Sequence, residues 1–336
     1  MRCILSLPGR KLRPRSAPEK KEQEDGCGRR GASSTGRIMT ARIEIENLNQ
    51  FYGKKQALKE INLTIETGMF GLLGRNGAGK TTLMKVLSTL LPKSEGQITV
   101  CKRKVEHAQA VRKITGYLPQ EFSMYPNMSV YETMDYLGVL SGLPKSQRKQ
   151  RIPELLERVN LQDSRRKKVK QLSGGMKRRL GIAQAILHDP KVLIVDEPTA
   201  GLDPEERVRF RNLLCEIAEN RIVILSTHIV GDIEATCEHI AVLDRGEIIY
   251  QGTVSELIGQ AEGRVYQAEI SKSELEDLKQ RCIVTSMLTL GNNVMVRFLS
   301  EEKPFASARP CDAGVEDAYM YLMQGRGGET GCSDSY

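Results

Sequence analysis

The sequence predicts an α/β fold: a mainly parallel sheet with helices on both faces, an inserted helical subdomain, and a small α+β tail. Three observations point there. Near-continuous apolar runs, VLIVDE (192–197), RIVILST (221–227) and HIAVLDRG (239–246), read as strands covered on both faces. Helical segments separate them, the arrangement of a doubly wound sheet. A glycine loop, GRNGAGKT (74–81), joins a short buried strand to a helix.

The elements follow in order from Arg42. RIEIEN (42–47) alternates apolar and polar residues as an edge strand does, and INLTIET (61–67) repeats the pattern. MFGLLG (69–74) is a short apolar strand running into the glycine loop, and KTTLMKVLSTLL (80–91) has helical spacing. TGYLP (115–119) reads as a strand. Between Phe122 and Gln171 the strand signal disappears. SVYETMDYLGVLSGL (129–143) and IPELLERVNL (152–161) read as helices, placing a helical subdomain at about 121–187. A composition change near Gly263 opens the tail, with RVYQAEI, VTSMLTL and NVMVRFL as strands and VEDAYMYLM (315–323) as the closing helix. The expected organisation is a main domain over 39–262, a small α+β domain over 263–323 and a flexible end over 324–336.

Composition narrows the class. The chain has 336 residues, enough for one large domain and a smaller appendage. Its apolar runs, such as VLIV (192–195), are far short of the roughly 20 residues of a membrane span. The net charge of +8 would suggest nucleic acid, but residues 1–38 carry ten Lys/Arg against four Asp/Glu, so the excess sits in an arm. That arm, poor in apolar residues after Leu12, cannot bury enough surface to order itself. It reads as a disordered basic arm or a misassigned leader, with Met39 as the functional start. The eight cysteines form no C-x-x-C pair, which removes zinc-site spacing and suits free thiols in a reducing compartment.

Two motifs grip anions. GRNGAGKT fits G-x-x-x-x-G-K-[ST] in its proper strand–loop–helix setting. Its glycines let backbone N–H groups wrap phosphate oxygens without a Cβ in the way. Lys80 would reach the β and γ phosphates, the Thr81 hydroxyl would ligate Mg²⁺, and Thr82 would meet the α-phosphate. VLIVDE then places two carboxylates at the carboxyl end of a buried strand, where open parallel sheets bind ligands. Asp196 would hold Mg²⁺ through water, and Glu197 would polarise an attacking water. These residues predict an ATP or GTP hydrolase with a P-loop NTPase core. The second motif, QLSGGMKRR (171–179), also opens a helix with small residues, a ready anion site about a hundred residues from the first.

The order of the motifs resembles the ATPase domain of ABC transporters: phosphate loop, Gln120, LSGG (172–175), DEPTAGLD (196–203), then His228. The likeness covers about residues 42–260. Residues 264–323 look like the tail of exporter-type, multidrug-type ATPases whose permease is a separate chain. The resemblance implies an antiparallel β subdomain beside the core, and ATP and Mg²⁺ as ligands. It implies a head-to-tail homodimer, or a heterodimer with a related ATPase. Each ATP would lie between the phosphate loop of one subunit and Ser173, Gly174 and Gly175 of the other. Gly74, Arg75, Asn76, Gly77, Ala78, Gly79, Lys80, Thr81 and Thr82 would then cradle the phosphates, with Tyr52 stacked on adenine. Gln120 would touch Mg²⁺ and the attacking water, His228 the γ-phosphate, and Asp203 the partner's phosphate loop. Glu197, His228, Gln120 and Lys80 form the catalytic set, and Thr81, Gln120 and Asp196 the Mg²⁺ set. The implied function is ATP-driven export, on the cytoplasmic face of the membrane, through an integral-membrane permease and without nucleic acid. The alternative is a soluble ATPase of the same superfamily acting on the ribosome or on DNA. One departure stands out: Met176 follows the glycines where the commoner signature has glutamine.

Overall fold

The computed structural model describes residues 41–327. The expectations for 1–38 and for Met39 as the start lie outside the described residues, as does most of 324–336.

The chain opens with β1 (Ile43–Tyr52), β2 (Lys55–Ile65), β3 (Gly68–Leu73) and α1 (Lys80–Leu87), then β4 (Glu95–Val100), β5 (Arg103–Lys104), α2 (Ala108–Arg112) and β6 (Thr115–Leu118). The helical region follows, with α3 (Val130–Leu140), α4 (Lys145–Arg158) and α5 (Gly174–Ala185). The α/β pattern resumes with β7 (Val192–Asp196), α6 (Pro204–Ala218), β8 (Ile222–Thr227), α7 (Val230–Glu234), β9 (His239–Asp244), β10 (Glu247–Thr253) and α8 (Val254–Gly259). Last come β11 (Val265–Ser271), α9 (Leu275–Arg281), β12 (Ile283–Leu290), β13 (Asn293–Leu299), β14 (Arg309–Pro310) and α10 (Val315–Gly327).

The central sheet has the order β10-β9-β3-β8-β7-β6, parallel except for the β9–β10 hairpin. Its strands are apolar on both faces because both faces are covered. Val192 and Ile194 join one core with Phe70, Leu72 and the α1 residues Leu83, Met84 and Leu87. Leu193 and Val195 join the other with Leu180 and Ile182 of α5 and Phe210 and Leu214 of α6. The period-2 side-chain alternation thus splits one apolar run between two cores. A second sheet, antiparallel and ordered β2-β1-β4-β5, closes the first core with Ile43, Ile45, Leu63 and Ile98.

The helical region is built by local signals. α3 starts at a capping box, in which Ser129 Oγ accepts from Glu132 N (3.2 Å) and Glu132 Oε2 from Ser129 N (2.7 Å). α4 begins seven residues before the IPELLERVNL segment and passes through Pro153, burying only Ile152, Leu155 and Leu156. The first helix, by contrast, is shorter than the apolar spacing over 80–91 suggests. It stops at Leu87, and Thr89 turns to a φ of 62°.

The tail forms a third sheet, β12-β13-β11-β14, with Phe298, Val296 and Ile270 packed against Leu278 of α9. α10 is pinned to this sheet by a buried ion pair. Arg297 reaches Asp317 at 2.6 Å, Thr285 Oγ1 donates to the same carboxylate at 2.7 Å, and Gly314 N donates at 2.8 Å. Burial alone would raise the Asp317 pKa, but these three donors outweigh it and hold the carboxyl below its usual range. A depressed carboxyl pKa stabilises the fold above the unfolded value of about 3.9 and loses that contribution as pH falls through the native value. Asp317→Ala is therefore expected to cost about 3 kcal/mol at neutral pH, by stranding Arg297. The gap in thermal midpoint between variant and wild type should narrow on titration from pH 7 to pH 3; a gap independent of pH would contradict this account.

Candidate active site

Four neighbouring parallel strands, β3, β8, β7 and β6, end side by side. Their carboxyl ends deliver the phosphate loop, His228, Asp196–Glu197 and Gln120 to one edge of the sheet, which is why residues so distant in sequence meet.

The phosphate loop leaves β3 and winds into α1. Gly79 has a φ of 113°, and a Cβ there would come within 2.9 Å of both Ala57 O and Leu58, so no other residue fits without strain. A cavity of about 690 Å³ opens over the loop, lined by Tyr52, Asn76, Gly77, Gly79, Lys80, Thr81, Thr82, Gln120 and Glu197. Tyr52 is half-exposed on the cavity wall, with Oη 3.5 Å from Thr82 Oγ1. Lys55, Lys59 and Arg245 add positive charge to the rim, which suits a polyanion. Arg75 is exposed and Ala78 buried, and neither lines this cavity.

Glu197 is the hub. It is buried and holds a φ of 45°, an uncommon backbone state for a side chain of this length. Oε1 lies 3.1 Å from Lys80 Nζ. Oε2 lies 3.2 Å from His228 Nδ1 and accepts from Gln120 Nε2 at 3.3 Å. Lys80 Nζ also donates to Gly74 O (2.7 Å) and Arg75 O (3.1 Å). The other three residues of the expected catalytic set therefore converge on the Glu197 carboxylate.

Next to it, Asp196 is fully buried. Its Oδ1 accepts from Ser226 Oγ at 2.5 Å, while Oδ2 meets no donor among the described residues. An unpaired buried anionic oxygen fits a hard divalent cation, and Thr81 and Gln120 stand on the adjoining cavity wall.

The LSGG segment is elsewhere. Ser173 caps α5 by accepting from Met176 N at 3.2 Å, and both Ser173 and Gly174 are exposed. None of Ser173, Gly174 and Gly175 lines the phosphate cavity. Gly175 packs on α6, where a Cβ would meet Glu206 Oε2 at 2.7 Å. Asp203 caps α6, accepting from Glu206 N at 2.9 Å, and is exposed close to the same place.

Two arginines that sequence reading passed over join these parts. Arg178 of α5 donates to Gln120 O at 2.6 Å and lies over the Phe122 ring at 5.7 Å. Burial pulls its pKa down against the attraction of Asp196. Arg179 is buried between the Val159 and Asn160 carbonyls and Glu206. Nothing in the run MKRR marks either arginine in the sequence, and only their carbonyl partners reveal them.

A phosphate loop, an acidic strand end and a detached serine–glycine helix define an ATP-hydrolysing cassette. The chain matches the ABC transporter family over residues 58–200. It is 38% identical to the linearmycin resistance ATP-binding protein LnrL of Bacillus subtilis, over 66% of this chain and 72% of that one. It is 34% identical to the Nod factor export ATP-binding protein I of Cupriavidus metallidurans, over 82% of this chain and 92% of the relative. Among solved structures it resembles cbiO1 from Clostridium perfringens, part of the ABC transporter complex cbiONQ. That likeness has a TM-score of 0.60 and 28% identity, over 71% of this chain and 94% of that one. The chain belongs to the ATP-binding proteins of the ABC transporter family and is an ATPase. Among the described residues, no helix is long and apolar enough to cross a membrane.

Proposed function

We propose that the chain powers export through a separate integral-membrane permease, bound at the cytoplasmic face, as one half of a head-to-tail dimer. The observation that carries this reading is the separation of the two anion grips: Ser173–Gly175 stand off the cavity that Lys80, Thr81 and Glu197 line. A second copy, facing the first, would bring its own serine–glycine helix to the open side of that cavity, and a two-fold assembly would complete both sites at once.

In the closed pair, Lys80 and the loop amides would hold the β and γ phosphates, and Tyr52 would stack on the base. The partner's Ser173 and Gly175, at a helix N-terminus, would face the γ-phosphate. Asp203 would reach the partner's phosphate loop. Thr81, Gln120 and Asp196 would hold Mg²⁺, which when bound neutralises phosphate charge. Glu197 would take the proton from the attacking water, with Gln120 and His228 steering its carboxylate. Arg178 would relay movement of Gln120 to α5. In the helical region, Tyr125 and Tyr136 pack edge to face at 5.1 Å, and Val139 and Leu140 are exposed, apolar surface suited to the permease. The printed names of the relatives, one an export protein and one a resistance protein, support the direction of transport.

Half-site mixing tests the dimer. Lys80→Ala removes one grip and Ser173→Arg the other, so each variant alone should be inactive. Random pairing should restore roughly a quarter of the wild-type sites, because each mixed pair holds one intact composite site. Absence of recovery at every ratio would refute the shared-site reading.

A further inference from the structure

Strands β7 and β8 run side by side to their carboxyl ends, where Asp196 faces Ser226. Past that point side chains join the two exit segments at two levels. Glu197 Oε2 meets His228 Nδ1 at 3.2 Å. Two residues further on, Thr199 Oγ1 donates to Asp232 Oδ2 at 2.5 Å. Thr199 and Asp232 are both buried, Asp232 completely, and neither lines the nucleotide cavity. The other carboxylate oxygen, Oδ1, lies 3.6 Å from Arg211 Nη1 of α6, which also donates to Gly231 O at 3.3 Å. The backbone holds Asp232 in place. Its N–H donates to Ile229 O at 3.1 Å, and Thr236 Oγ1 donates to its carbonyl at 2.6 Å. An anion taken fully out of water is costly unless its partners compensate it, so one that faces no ligand cavity needs a reason. Its partners supply one. Thr199 and Arg211 bracket the turn that ends at Asp203, the exposed N-cap of α6. That turn is thus pinned at both ends to one carboxylate, which stands four residues after His228.

We infer that Asp232 is a positioning residue for ATP hydrolysis, fixing the His228 turn and the Asp203 turn in one relation through Thr199 and Arg211. This rests on the roles proposed above for His228 and Asp203. Asp232 acts through its partners and touches no reacting atom. Thr199 follows Glu197 by two residues, so slack in the Thr199–Asp232 contact also loosens the contact between Glu197 and His228. The loss falls on the chemical step and not on ATP binding, because Lys80 and the phosphate loop are left as they are.

The test compares Thr199→Val, Thr199→Ser, Asp232→Asn and the Thr199→Val/Asp232→Asn double variant in steady-state hydrolysis by the full chain. A fluorescent ATP analogue measures Kd and counts the sites able to bind. Thr199→Val keeps the shape of the side chain and deletes the donor. Its kcat per binding site should fall about tenfold, the size of one hydrogen bond to a charged group, with the analogue Kd unchanged. Thr199→Ser retains the hydroxyl and should turn over as wild type does. Asp232→Asn should lose kcat as Thr199→Val does. The double variant should lose less than the product of the two single losses, the mark of a shared contact. A merely structural role would lower the unfolding temperature and the number of binding sites while leaving kcat per site unchanged. That result, equal losses in Thr199→Val and Thr199→Ser, or a rise in Kd matching the fall in kcat would overturn the inference. His228→Ala separates the two readings. If it turns over normally, the reading of the His228 turn falls and the inference with it; if it loses turnover while Thr199→Val keeps it, only the role of Asp232 falls.

Discussion

Glu197→Gln should hold ATP and cease to turn it over. The amide cannot accept the proton of an attacking water, and loss of a positioned base typically costs about 10²–10⁴-fold in rate. The structure adds a second effect. Glu197 Oε1 is the ion-pair partner of Lys80 at 3.1 Å, in a buried setting. A phosphate must draw Lys80 away from that carboxylate before it can be gripped. In the variant Lys80 has no such competitor, so ATP should bind more tightly than to wild type, and the paired form should accumulate. Single-turnover hydrolysis, equilibrium ATP binding and sedimentation with ATP measure the three consequences. Near-normal steady-state turnover would remove Glu197 from its assigned role; weaker ATP binding would mean that the Lys80 contact aids the ground state rather than opposing it.

Ser173→Arg should separate binding from turnover in the other direction. Ser173 is exposed and off the cavity, so a lone chain should bind ATP as wild type does. Losing the cap to Met176 N costs about 1 kcal/mol, and a positive side chain at a helix N-terminus costs a further 0.3–1 kcal/mol, too little to unfold α5. In a facing pair, however, the arginine would stand where the neighbour's γ-phosphate must approach. Turnover should fall by about 10²-fold or more, as when a preorganised phosphate donor is lost. Equal losses of affinity in the monomer and of turnover would place Ser173 in its own chain's site and end the shared-site account.

Legibility in the sequence followed the range of the interactions. β7 could be read because both faces of the sheet are covered and the run VLIV has no polar interruption. The phosphate loop could be read because its backbone geometry demands glycine at fixed spacing. Helix α4 was half legible. Its first seven residues, KSQRKQR, bury none of their side chains, and Pro153 looks like a start signal although it stands inside the helix. Helix α9 left no mark beyond Leu278, its one buried residue. At the site, residue types were legible and their joinery was not. Arg178 meets the Gln120 carbonyl across 58 positions, and Glu206 fills the space beside Gly175. A surface arginine and a buried linking arginine have the same letter, and only the folded chain brings the acceptor.

Arg178 has one more consequence. Because a single guanidinium holds both the glutamine segment beside a chain's own nucleotide and the helix that would embrace its neighbour's, occupancy on one side should be felt on the other. Plots of hydrolysis rate against ATP concentration should therefore be sigmoidal, with a Hill coefficient above one. Shortening that arginine to alanine should flatten them toward simple saturation.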